Sequence, residues 1–115
     1  MDIVVHIGAA LLCFAQQCHP VLIGNDTPVG EFVIRQRIVS DPLYGGSVLQ
    51  FTETEDTVYA IHKIWNGRPK EKRFDRIKSK NPKDLHITHG CINVDESVYN
   101  ELVNNYQGSR LVIQK

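Results

Sequence analysis

Thr88-His89-Gly90-Cys91-Ile92-Asn93-Val94 is the stretch on which the reading of this 115-residue chain turns. A glycine directly before a cysteine leaves the backbone unhindered, so the amides of Gly90 and Cys91 can both face a carbonyl oxygen. Two inward amides are what a developing oxyanion needs. The cysteine also needs a base, because a free thiol titrates near ~8.5 and the thiolate is the nucleophile. Two histidines are candidates: His89 on the same stretch, and His62, which ends the strand-like run Val58-Tyr59-Ala60-Ile61. A cysteine served by a distant histidine at a strand end is the general pattern of acyl transfer through a covalent intermediate. The sequence reads as an enzyme.

Composition narrows the alternatives. At 42% hydrophobic and 23% charged residues, the chain falls in the range of a globular protein and is long enough for one domain, residues 1–115. Thirteen basic and thirteen acidic residues cancel, so no global field points to nucleic acid or an anionic membrane. No apolar run approaches the ~20 residues of a membrane span. The apolar stretch from Ile3 to Ala15 imitates a signal segment, but it carries Asp2 in place of a basic start and is interrupted by His6. Ala15-Gln16-Gln17-Cys18 is likewise a poor lipoprotein cleavage site. The stretch is read as the first strand, and an export signal is expected to be missing from this chain, either removed or never present.

Strand signals dominate the first half: Ile3 to Phe14, Val21 to Ile23, and a run from Gly30 to Val39 after the turn Asn25-Asp26-Thr27-Pro28. Ser40-Asp41-Pro42 and Gly45-Gly46 bracket a loop. Val48 to Phe51 and Val58 to Ile64 form a strand pair around the acidic turn Glu53-Thr54-Glu55-Asp56. Residues 67–84 are basic and poor in apolar side chains, and are expected to form a surface loop or lid with Phe74 and Ile77 anchoring a short helical turn. Asp95 is the expected N-cap of one clear helix, with Val98, Leu102 and Tyr106 at helical spacing and Gly108 at its C′ position. Leu111-Val112-Ile113 closes as a strand. The fold class is mainly β with one α-helix.

Three cysteines leave Cys13 and Cys18 once Cys91 is assigned as the nucleophile. A hairpin turning at Ala15-Gln16 would oppose them, but that turn lacks its preferred Gly or Asn. Two buried free thiols are the favoured reading. His6 and His19 stand without motif company, and His86 reads as exposed polar surface.

These residues resemble the catalytic domain of the L,D-transpeptidases (the YkuD-type family). The likeness rests on His62 followed by Thr88-His89-Gly90-Cys91-Ile92-Asn93, on Tyr59-Ala60-Ile61-His62, and on Thr27-Pro28-Val29-Gly30-Glu31-Phe32 leading into a strand. It covers essentially the whole chain. His62 and Cys91 lie further apart than in the best-known members, with the basic segment filling the difference. The resemblance implies a β-sandwich or barrel in which Cys91 attacks a tetrapeptide stem of peptidoglycan, releases D-Ala and forms a thioester. An amine acceptor then gives a 3-3 cross-link, whereas water would give L,D-carboxypeptidase trimming, as in a wall-recycling enzyme or an antibacterial effector.

The same resemblance implies His62 as base, oriented by the backbone carbonyl of Lys63, with His89 hydrogen-bonded in the pocket and Thr88 and Asn93 bracing the nucleophile loop. It further implies inhibition by carbapenems and a periplasmic or wall location, a cytoplasmic enzyme or a secreted effector being the alternatives; a monomer without cofactor is expected. Arg68, Arg73 and Arg76 lie between the two motifs, where one of them is expected to hold a substrate carboxylate. Two other classes fit some of the residues. His62, His86, His89 and Cys91 could ligate zinc, but their spacing is not a standard ligand pattern. The basic segment could bind an anionic polymer, but Glu71 and Asp75 interrupt it.

Overall fold

Alternating apolar side chains build two sheets that pack face to face. The computed structural model describes residues 2–115. Its strands are β1 (Ile3–His6), β2 (Leu11–Phe14), β3 (Gln17–Pro20), β4 (Gly30–Val33), β5 (Arg35–Ile38), β6 (Ser47–Glu53), β7 (Val58–Lys63), β8 (Ile92–Val94) and β9 (Arg110–Gln114). Two α-helices join them, α1 (Arg73–Arg76) and α2 (Glu96–Asn105). One sheet runs β3-β2-β1-β9-β4 and the other β5-β6-β7-β8. Neither closes on itself, so the architecture is a sandwich and not a barrel. No helix is long and apolar enough to cross a membrane.

Ile3, Val5, Leu12, Leu111 and Ile113 from the first sheet meet Leu49, Ile61 and Ile92 from the second, all within 1% of full burial. Leu102 and Val98 of α2 join the same cluster. Asp95 caps α2 as the sequence predicts, its carboxylate accepting from the Ser97 amide at 3.1 Å. Helix α2 ends at Tyr106, however, and Gly108 is not its C′ residue. Gly108 takes a φ of 82° and donates its amide to the Ile34 carbonyl at 2.9 Å, which ties the approach to β9 to the other strands.

Four expectations change. The stretch from Ile3 to Ala15 is not one strand but two, folded at Ile7–Ala10, where small residues let Ala10 adopt a φ of 54°. The run from Gly30 to Val39 also divides. Its first half pairs with β9 and its second with β6, and the fully buried Ile34 marks the corner between sheets. Cys13 and Cys18 are neither buried nor free: they sit opposite each other on β2 and β3 and form a disulfide. Ala15 and Gln16 supply the two left-handed residues of the turn, with φ of 50° and 65°, despite lacking the glycine such turns prefer. In the basic segment Ile77 is buried, but Phe74 is exposed. The other buried side chain of that segment is Arg73.

Candidate active site

Strands β7 and β8 run parallel, with Ile61 opposite Ile92 and His62 opposite Asn93. Cys91 directly precedes β8, so continuing that register places it beside Ala60. Side chains alternate between faces, so Ile61 and Ile92 point into the core while Cys91 and His62 share the opposite face. A histidine 29 positions upstream thus shares a face with the cysteine. Both side chains line two clefts that meet between them. One, of about 400 Å³, is bounded by Arg37, Ile38, Asp41, Tyr44 and Val58. The other, of about 220 Å³, is bounded by Trp65, Arg68, Glu71, Arg73, Thr88 and His89.

His62 is 2% exposed, and its Nδ1 lies 2.6 Å from the Lys63 carbonyl oxygen. A carbonyl only accepts, so Nδ1 carries the proton and Nε2 is left with its lone pair. The edge of the Tyr44 ring packs on the imidazole at a centroid distance of 4.7 Å. Burial pushes the His62 pKa down to about 4; the Lys63 carbonyl opposes the shift and the nearby Arg73 charge adds to it. Cys91 is half-buried, and its Sγ lies 3.6 Å from the Val58 carbonyl. Burial pushes its thiol up, against the Ala60 amide and the Arg73 charge, which favour the thiolate. At neutral pH the clefts are therefore lined by a thiol and a neutral imidazole.

The loop that carries Gly90 and Cys91 is fixed from below by the other motif. Thr27, 3% exposed, donates its hydroxyl to the Gly90 carbonyl at 3.0 Å and accepts the Gly24 amide at 3.2 Å. Thr88 closes the loop on itself: its hydroxyl donates to the Cys91 carbonyl at 2.7 Å and accepts the Gly90 amide at 3.3 Å. One of the two amides expected to face a substrate oxygen is thus engaged through a long hydrogen bond. Gly90 has a φ of 129°, and a Cβ there would stand 2.4 Å from the Tyr59 ring. Only glycine fits.

The remaining expected residues fall into place unevenly. Asn93, fully buried, accepts the Trp65 amide at 3.1 Å and Arg73 Nη1 at 3.0 Å through Oδ1. Lys63 directs its ammonium to Glu96 at 3.5 Å and over the Tyr99 ring, so only its carbonyl serves the site. Arg68 lines the smaller cleft and is exposed. Arg76 lines neither; its guanidinium donates to the Glu71 carbonyl at 2.7 Å and the Asp84 carbonyl at 3.2 Å, holding the segment's shape. His89 lines the smaller cleft but is exposed, and among the described residues its ring has no hydrogen-bond partner, contrary to the expected bond. His86 is not open surface: its Nε2 lies 2.6 Å from the Ile7 carbonyl oxygen. Among the described residues no three His, Cys, Asp or Glu side chains gather as metal ligands.

Tyr44 and Gly24 are among the site residues with no counterpart in the sequence reading. Tyr44 lines both clefts from the turn Pro42–Tyr44, whose capping by Asp41 is ordinary turn chemistry. Gly24 lies under the Thr88–Cys91 loop so closely that a Cβ would meet the Thr88 carbonyl oxygen at 2.2 Å. Its place before Asn25-Asp26 announces a turn but not this contact.

No protein-family model matches the sequence, and no curated protein is similar to it in sequence. Solved structures are similar in fold. An L,D-transpeptidase in complex with imipenem, LdtMt1, superposes with a TM-score of 0.66 at 15% identity, covering 98% of this chain and 58% of that one. A cysteine-to-serine variant of the Enterococcus faecium L,D-transpeptidase gives 0.63 at 15% identity, covering 98% and 49%. An L,D-transpeptidase of Stackebrandtia nassauensis gives 0.62 at 13%, covering 99% and 55%. This chain thus spans about half the length of those solved chains. Its fold is that of the L,D-transpeptidases.

Proposed function

We propose that this protein is a cysteine-dependent L,D-transpeptidase acting on peptidoglycan stem peptides. The observation that carries the proposal is the convergence of Cys91 and His62 on the walls of both clefts, with His62 held by the Lys63 carbonyl in the tautomer that leaves Nε2 as a base. In acylation, Sγ bonds to the carbonyl carbon of the third stem residue while its proton passes to Nε2. The tetrahedral oxyanion is held by the Cys91 amide, joined by that of Gly90 once Thr88 releases it; each such donor contributes about 3–4 kcal/mol in comparable sites. The C–N bond to the terminal D-Ala then breaks, and Nε2 returns the proton to the departing amine.

Transfer reverses these steps with a new amine. The acceptor attacks the thioester, its proton passes to Nε2, the C–S bond breaks, and the sulfur regains a proton. Two clefts meeting at one sulfur favour transfer over hydrolysis, because donor and acceptor stems can approach from different sides. His89, whose ring lines the smaller cleft, would meet the substrate there. The Cys13–Cys18 disulfide favours work in an oxidising compartment such as the periplasm.

Mass spectrometry of muropeptides after incubation with the protein tests this reading. Tetrapeptide stems should lose D-Ala and appear in 3-3 cross-linked dimers. Tripeptides alone would make the protein an L,D-carboxypeptidase, and unchanged muropeptides would refute the proposal.

A further inference from the structure

The charge pattern of residues 67–84 reads as a solvated surface, and Arg73 departs from it. Its side chain is 8% exposed, whereas Arg68, Lys70 and Lys72 are exposed. A buried guanidinium persists only where partners replace its water. Here Nε donates to Glu71 at 3.1 Å, Nη1 donates to Asn93 at 3.0 Å, and the planar group lies 4.9 Å over the Trp65 ring. Asn93 and Trp65 are neutral. The Glu71 side chain is 29% exposed, so water screens its carboxylate more than it screens the arginine. A net positive field is left on the cleft that Arg73 shares with Cys91 and His62.

We infer that the basic segment belongs to the catalytic machinery: Arg73 is a positioning residue that acts through Cys91 and His62 as the fixed positive charge of the site. The inference rests on those two residues being the reacting pair. A fixed cation stabilises a thiolate and penalises an imidazolium. It therefore limits how far burial suppresses the thiolate, and it keeps His62 in the neutral form that can accept a proton. Arg73 acts downward on the pKa of both groups. The other ionisable groups lining the two clefts are Tyr44 and Asp41 before β6, Arg37 on β5, His89 on the nucleophile loop, and Arg68 and Glu71 beside Arg73. Of the three arginines, Arg73 alone is buried.

The sign of the response separates charge from scaffolding. Losing a positive charge raises both pKa values. Merely loosening the segment admits water, which moves Cys91 down and His62 up toward their ordinary values. With Cys13 and Cys18 joined, Cys91 is the free thiol, so alkylation by iodoacetamide against pH, followed by intact mass, reads its thiolate directly. NMR of the imidazole reads His62. Arg73→Met should raise the Cys91 midpoint by about one unit, an about tenfold slower alkylation below it, and raise His62 as well. Arg73→Lys should recover most of the Cys91 shift. A Cys91 midpoint that stays or falls in Arg73→Met overturns the inference. If that variant does not fold, Glu71→Gln decides: it keeps an acceptor for Nε but removes the opposing charge, so the midpoint should fall, and an unchanged or raised midpoint overturns the inference. Iodoacetamide involves no peptidoglycan, so a failure here leaves the transpeptidase proposal standing. Unchanged muropeptides beside the expected alkylation shift would remove that proposal alone.

Discussion

The buried His62 makes a quantitative demand on stability in mild acid. Its pKa falls from an ordinary 6.5 to about 4 because the ring is enclosed, with Arg73 nearby and the Lys63 carbonyl only partly compensating. Between those values the unfolded chain binds a proton that the folded chain refuses. Stability therefore rises with pH through this window and is lost as pH falls below 6.5. The full loss amounts to about 3 kcal/mol, and roughly 2 to 3 kcal/mol of it is reached by about pH 4.5. Asp2 and Asp95, whose carboxyls are held below their ordinary value by Arg110 and Ser97 respectively, lose their contributions mainly at lower pH. His62→Gln removes the titrating group and keeps a side-chain N–H for the Lys63 carbonyl. Urea unfolding of both proteins at about pH 7.5 and about pH 4.5 gives the comparison. The stability lost by the parent should exceed that lost by the variant by roughly 2 to 3 kcal/mol. Equal losses in the two proteins would show that His62 is not held neutral by its surroundings.

Three further outcomes are expected. Cys91→Ala should abolish turnover with the fold intact by circular dichroism, and a carbapenem should add one drug mass to the parent and none to the variant; an adduct on Cys91→Ala would refute the assignment of the nucleophile. Gly24→Ala should displace the Thr88 carbonyl and lower acylation at least about tenfold while costing roughly 1–3 kcal/mol of stability, and an unchanged single-turnover rate would show that the loop tolerates the shift. Replacing both Cys13 and Cys18 with Ala should cost about 2 kcal/mol by urea unfolding, as expected for a short closed loop, and leave activity in place; loss of activity in a folded variant would give the hairpin an unrecognised role.

The residues that line the two clefts are legible in part, because short-range patterns mark them. A glycine before the cysteine and a histidine at a strand end are local facts, and the parallel pairing of β7 with β8 brings them onto one face. The strand pair of β6 and β7 is legible for the same reason, its apolar residues and acidic turn being contiguous. Chain direction between sheets is not. The run from Gly30 to Val39 has continuous strand character, and only the hydrogen bonds of Ile34 with Gly108 and Ser109 decide that it changes sheets. The Ala15-Gln16 turn is opaque in another way. Its local cost, about 1–2 kcal/mol for each left-handed residue, argues against the hairpin, but the β2–β3 ladder and the disulfide outweigh it.

Gly24 and Arg73 show where composition misleads. Each looks ordinary beside its neighbours in sequence, and each is singled out by groups far along the chain. Gly24 is required by the Thr88 carbonyl, and Arg73 is drawn inward by Asn93 and Trp65. Thr27 joins the two motifs physically, since one hydroxyl bonds the Gly90 carbonyl and accepts the Gly24 amide. The co-occurrence of Thr27-Pro28 and His89-Gly90-Cys91 in the sequence therefore has a mechanical basis: the first is hydrogen-bonded to the loop that carries the second. It follows that Thr27→Val, which keeps the shape but removes both hydrogen bonds, should impair Cys91 acylation more than its cost in stability would suggest. Thr27→Ser should restore it. Matching acylation rates in Thr27→Val and the parent would show that the two motifs act independently.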